Sequence, residues 1–286
     1  MQDTVIRRET IRRESERGVR QFTEVDNTTD PRWFIDFMDA ANELPGHHTV
    51  NHRLASNLGY KEQMRVLDVG TGTGDDARQL LDLLPLAAEI TGVDVSQAMV
   101  DEARLRHASA APRLRFALTD GSRLDFENGY FDAVRGKLVL MHCDDIGRTF
   151  DEMLRVVKPG GRIALFDYDF DCLAVDHPDQ ELTRQIVRRF SNGTRNNWSA
   201  RQLFRRFTVK GLADVTVEPI VVPLPFSVFE PMVSGRKSSQ ADAGNRPVAS
   251  AEDAWWNELS ALAAAGLFFS AFTGFLVSGT KQAGTP

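Results

Sequence analysis

The stretch VLDVGTGTGDD, residues 66–76, decides how this chain is read. An apolar, β-rich run breaks off at glycines on alternate positions, Gly70, Gly72 and Gly74, and Asp75 and Asp76 follow. Such a run predicts a strand that ends in tight turns and leaves bare main chain for a close ligand. A helix is predicted through DARQLLDLL, ended by Pro85.

Outward from there, strands and helices alternate. EITGVDVS (89–96) predicts a second strand and QAMVDEARLRHAS (97–109) a helix; LRFALTDG (114–121) and FDAVRG (131–136) predict two more strands. IGRTFDEMLRVV (146–157) predicts a helix stopped by KPGG, and GRIALFDYDF (161–170) a fifth strand. Two helices, DQELTRQIVRRFS (179–191) and SARQLFRRFTVKG (199–211), precede the strands DVTVEPIVVPLPF (214–226) and FTGFLVSGTK (272–281). This alternation makes the fold α/β: a Rossmann-like, seven-stranded, mostly parallel sheet with helices on both faces. Residues 1–60 read as an N-terminal helical arm and cap: a charged helix over 1–20 (Glu9/Arg13 and Glu16/Arg20 at i,i+4), then a helix started by Asp30 and Pro31. The arm is either a solvated tail or a lid or oligomer contact. Residues 61–286 form the main domain, with late insertions at about 170–200 and 224–265 predicted to complete the cap.

In an open parallel sheet, ligands bind beyond the carboxyl ends of the strands. A dinucleotide fingerprint is G-x-G-x-x-G, with a pyrophosphate at the helix N-terminus. Here the spacing is G-x-G-x-G, and two carboxylates stand where that pyrophosphate would sit. They would repel it, cap the helix instead, and favour a ligand without negative charge there, such as a sulfonium with a zwitterionic tail. Asp94 closes the second strand about twenty residues after the last glycine, where a carboxylate accepts from a ribose diol. Asp120-Gly121 close the third strand, where a carboxylate can accept from an adenine amino group.

VLDVGTGTGD, GVDVS..MV..A, LTDG..L.F....FDAV and EMLRVVKPGGRIAL, in that order and spacing, resemble the class I S-adenosylmethionine-dependent methyltransferases, and most closely the ubiquinone and menaquinone small-molecule group. The resemblance covers roughly residues 64–170. It implies S-adenosyl-L-methionine as cofactor, with Asp68, Gly70, Thr71, Gly72, Thr73 and Gly74 around the methionine moiety and Asp94 on the ribose. Val95 and Met99 would pack on the adenine and Asp120-Gly121 read its edge. Lys137 falls where the family contacts the methionine end, although a serine or other small residue is expected there. Met99 also suits a core position, and Asp120 a loop cap.

Methyl transfer from a sulfonium is an in-line displacement, so alignment and exclusion of water come first, and a base is needed only for a protonated, weak nucleophile. His142, just beyond the fourth strand, is the candidate general base; its other reading is a histidine that ties down the loop. Trp33, Phe37, Asp167, Tyr168, Asp169 and Trp198 are the candidate substrate residues, either lining an apolar pocket or serving as core and loop packing. His47, His48 and His52 carry no metal argument.

The chain has 286 residues and a formal charge of −6, which speaks against a nucleic-acid partner. Cys143 and Cys172 have no metal-like spacing and fit a reducing cytoplasm. The N-terminus has no apolar leader. Leu259–Val277 is uncharged over nineteen residues, yet it reads as a buried helix and strand rather than a membrane span. The expected partner is a medium-sized, partly apolar organic molecule of secondary metabolism, with a homo-oligomer through the arm as a further expectation. Two alternatives stand beside it. One is a cofactor-binding protein of this fold that methylates nothing, a cyclase or regulator; the other is a macromolecule methyltransferase.

Overall fold

The computed structural model describes Phe22 and residues 24–28, 30–84, 88–234 and 250–284. The predicted arm at 1–20 and most of the polar stretch SGRKSSQADAGNRP lie outside the described residues. Seven strands form one sheet: β1 (Arg65–Val69), β2 (Glu89–Asp94), β3 (Leu114–Leu118), β4 (Phe131–Lys137), β5 (Val157–Val175), β6 (Ala213–Pro223) and β7 (Ser270–Thr280). Their order is β3-β2-β1-β4-β5-β7-β6, and β7 alone runs antiparallel to its neighbours. The order reverses between β1 and β4, so the glycine turn after β1 opens at the switch point.

Alternation along the strands fills both faces. Val66, Ala164, Phe166 and Tyr168 join one apolar cluster, while Leu67, Val69, Ile163 and Leu165 join another on the opposite face. The first cluster is covered by α2 (Pro45–Ser56), α3 (Asp75–Leu83) and α4 (Gln97–Arg106); the second by α5 (Ile146–Val156) and α7 (Ser199–Val209). Because Val50, Leu54 and Ala55 are buried in the first cluster, α2 is part of the sheet's own layer rather than a cap. Caps fix where helices begin. Ser96 accepts from the Met99 N–H at the start of α4, and Asp145 from the Arg148 N–H at the start of α5.

β6 takes Pro219 and Pro223 without penalty because it is an edge strand, where a missing N–H costs no ladder bond. α6 (Gln180–Asn192) and α9 (Ala251–Ala264) pack together through Trp255, whose Nε1 donates to Thr183 Oγ1 at 2.9 Å. The apolar stretch at 259–277 is therefore the end of α9 followed by β7, and among the described residues no helix is long and apolar enough to cross a membrane. α1 (Pro31–Asn42) lies against α4, where Val25, Trp33, Phe34, Ile35 and Met99 form a third small core. α8 (Phe226–Ser234) completes the cap above the sheet's carboxyl edge.

Candidate active site

A cavity of about 430 Å³ opens at the carboxyl edge of the sheet. Its floor is the turn after β1. Gly70 and Gly72 have φ of +71° and +54°, values that L side chains rarely adopt. A Cβ on Gly70 would also meet Val139 Cγ2 at 2.5 Å, and one on Gly72 would run into Met38 Cε from α1. Backbone conformation requires glycine at both positions, and at Gly70 the Val139 side chain leaves no room for a Cβ either.

Asp94 stands beside this turn. Its carboxylate accepts from the Gly72 N–H at 2.9 Å and from the Ser96 N–H at 3.0 Å, tying the glycine turn to the start of α4. Burial raises its pKa above the ordinary carboxylate value, against the lowering effect of those N–H groups. Val95, Met99, Asp120 and Gly121 line the same end of the cavity. Asp120 also closes its own loop, accepting from the Ser122 N–H and hydroxyl at 2.8 Å each. Asp120 is thus a loop cap that borders the cavity, and Met99 is a core residue that also lines it.

The two aspartates behave differently from the expectation. Neither caps α3: Gly74 is the N-cap residue, with φ +79° and no side-chain cap bond. Asp75 pairs with Arg106 at 3.0 Å and accepts from the Thr73 hydroxyl at 2.8 Å. Asp76 lies 2.7 Å from Lys137 Nζ and accepts from Asn51 Nδ2, also at 2.7 Å. Burial pushes the Asp76 carboxyl up, but Lys137 and Arg135 outweigh it and hold its pKa below the usual carboxylate range. Because both acids are matched by cations, simple repulsion of a phosphate is weaker than the sequence suggested. Beneath them Arg135 pairs with Asp68 at 2.8 Å, both almost fully buried. Two cations on a central strand with every residue buried are the signal that counter-charges had to be near.

Of the residues singled out from sequence, Gly70, Thr71, Gly72, Asp94, Val95, Met99, Asp120, Gly121, Lys137, His142, Phe37 and Tyr168 line the cavity. Asp68, Thr73 and Gly74 do not; they hold the turn from below. Four substrate candidates also fall outside the cavity wall. Trp33 is core, packed with Phe34 and Ile35 and stacked on Phe37. Asp167 lies near the Ser199 hydroxyl and the N–H groups of Val139, Leu140 and Met141 in the loop after β4, and burial pushes its carboxyl up to about 7. Asp169 is ion-paired with Arg201, and Trp198 stacks against that guanidinium and donates to Asp171 at 2.6 Å. The Asp169 and Asp171 carboxylates are taken up by these partners, whereas both Asp167 oxygens are buried with no hydrogen-bond partner among the described residues.

His142 ends the short turn Leu140–His142 and packs against the ring of Phe22 at 5.5 Å. Burial, helped by Arg195, pushes its pKa down to about 4, so the imidazole is neutral at physiological pH. Sequence reasoning missed His47. Its Nε2 lies 2.7 Å from the Tyr168 hydroxyl oxygen, and both line the cavity. It missed Leu224, Val228 and Met232 as well, which β6's end and α8 bring over the β5 side of the cavity. Only the short spacing of histidines at 47, 48 and 52 hinted at the first.

Residues 66–161 match a family described as the methyltransferase domain. An uncharacterized 37.1 kDa protein in transposon TN4556 of Streptomyces fradiae is 34% identical over 214 residues, which cover 74% of this chain and 61% of that protein. The ubiquinone/menaquinone biosynthesis C-methyltransferase UbiE of Geotalea daltonii is 28% identical over 147 residues, 51% of this chain and 62% of that protein. This chain therefore spans less than two thirds of either curated relative. Among solved structures, the YcgJ protein from Bacillus subtilis superposes with a TM-score of 0.59 at 22% identity, covering 83% of this chain and 100% of that one, a likeness of fold. Strand order, glycine turn and family match agree: the chain is built on a class I S-adenosylmethionine-dependent methyltransferase domain.

Proposed function

We propose that the cavity binds S-adenosylmethionine and that the chain transfers its methyl group to a small, partly apolar organic molecule. The observation that carries this reading is the joint placement of the glycine turn, Asp94 and Asp120 on one end of a single cavity whose other end is apolar. The residues suit the cofactor. Gly70 and Gly72 leave main chain uncovered, Asp94 is placed for a ribose diol, and Val95 and Met99 offer apolar walls to an adenine. When bound, the cofactor supplies an electrophilic methyl carbon on a sulfonium.

The chain's own contribution is alignment and dryness. The Lys137–Asp76 pair presents both signs of charge to a zwitterionic tail. Phe22, Phe37 and Met38 cover the opening from the cap side. His142, neutral and half-buried beyond β4, would take the proton from a hydroxyl acceptor in this reading. The net charge and the size of the cavity favour a small molecule over a nucleic acid.

Isothermal calorimetry with S-adenosylhomocysteine, and metabolite extracts incubated with isotopically labelled methyl donor, test the reading. Micromolar binding and label in one or a few small organic products are expected. Absence of binding would refute the cofactor assignment. Binding with no labelled product, or label found only in protein or RNA, would refute the small-molecule transfer.

A further inference from the structure

The cavity is roofed by the short turn Val25–Asn27 and by α1, and this roof is fastened to the body at two polar points. The first is Asp26. One of its carboxylate oxygens accepts from the Ser96 hydroxyl at 2.7 Å and from the Ala98 N–H at 3.0 Å; the other accepts from the Gln97 N–H at 2.7 Å. Asp26 thus sits on the start of α4, where N–H groups lack helical partners and the helix dipole favours an anion. Burial pushes its carboxyl up, but the Ser96, Ala98 and Gln97 donors outweigh it and hold its pKa below the ordinary value, so the group is charged at neutral pH. The second point is Asp39 on α1. Its two oxygens take both terminal nitrogens of Arg106, at the far end of α4, at 2.7 and 3.0 Å.

Between these fastenings lies the small core of Val25, Trp33, Phe34, Ile35 and Met99, which stands apart from the two clusters on the faces of the sheet. The roof can therefore lift from α4 without opening either main cluster. Its inner side meets the cavity through Phe22, Val25, Phe37, Met38 and Ala41. Met38 reaches down to the glycine turn, where a Cβ on Gly72 would run into its Cε. Phe22 reaches the other way, to the ring of His142 at 5.5 Å. A donor lying on the glycine turn would have this roof directly above it.

We infer that Asp26 and the Asp39–Arg106 pair latch the roof over the donor, and that donor exchange waits for these latches to open. The inference rests on the donor-binding reading above and deepens it by naming what controls access to that site. Asp26, Asp39 and Arg106 are positioning residues: none of them lines the cavity, and they act on the donor through Phe22, Val25 and Met38.

A latch and a ligand contact leave different kinetic traces. Loss of a contact raises the dissociation rate alone. Loss of a latch raises association and dissociation together, so the dissociation constant moves less than either rate. The test is stopped-flow binding and displacement of S-adenosylhomocysteine, with hydrogen exchange across α1 measured on the same proteins. Asp26→Ala should speed both rates about tenfold, and Asp39→Ala should act in the same direction. Amide exchange across α1 should accelerate in both variants while that of β1 and β4 stays unchanged. Thermal melting checks folding, and Asp26→Asn, which keeps one acceptor oxygen and should show a smaller rise, replaces an alanine variant that does not fold. An association rate unchanged by every variant overturns the inference, as does unchanged exchange across α1. Failure of S-adenosylhomocysteine to bind wild type would sink the donor-binding reading separately, and α1 exchange alone would then decide whether the latches hold the roof.

Discussion

Compare the cavity wall under β1 and β2 with the wall between β5 and α8. The first is made of main chain and short polar side chains contributed by consecutive residues: Gly70 to Gly72, then Asp94 and Val95. The second is made of side chains from distant segments, with His47 on α2, Tyr168 on β5 and Val228 on α8. A wall of main chain demands glycines and capping acids at fixed local spacing, so it leaves a pattern in the sequence. A wall of converging side chains demands only that the fold bring them together.

Three substitutions probe this contrast. The largest effect is expected at the main-chain end. Asp94→Ala removes the carboxylate that would accept from a ribose diol under the proposed reading, together with the brace on the glycine turn, so affinity for S-adenosylhomocysteine should fall by about a hundredfold or more in calorimetry. Near-wild-type affinity would remove the ribose assignment. At the other end, His142→Ala should leave that affinity within about threefold while slowing transfer to a hydroxyl acceptor about a hundredfold, the usual scale for losing a general base. A rate within threefold of wild type would make His142 a loop residue.

The smallest effect is on stability. Burial raises the Asp167 carboxyl to about 7, so the folded chain keeps a proton that the unfolded chain releases near 3.8. Between those values the folded state holds more protons at this site, so the Asp167 contribution to stability slopes downward as pH rises from about 4 to about 7, opposite to the contributions of His47 and His142, whose pKa values burial lowers. Asp167→Asn should flatten that slope and melt several degrees higher than wild type at pH 8, at about 2–4 °C per kcal/mol. Parallel melting profiles for the two proteins would show that Asp167 is not the group responsible.

The seven strands and the switch point were legible because each βαβ unit repeats the same change of hydrophobic period, from two to about 3.6. Gly70, Gly72 and Asp94 were legible for the local reason already given. Asp167, Asp169 and Trp198 misled because an acidic, aromatic strand end looks the same whether its side chains face a ligand or a loop. Only the positions of Arg201 and of the turn after β4 separate the two cases. Trp33 misled in the same way: an apolar stripe on α1 shows which residues are buried without showing what they are buried against. The Asp76–Lys137 match joins residues some sixty positions apart, and no local rule links them.

One consequence follows from the double engagement of Asp94. Its oxygens already hold the Gly72 and Ser96 N–H groups, so the side chain is frozen in one rotamer and the turn beside it in one shape before anything arrives. The entropy of ordering that corner is lost when the protein folds, not when it binds. A ligand entering there meets a finished mould, and its binding carries no further cost for ordering that corner.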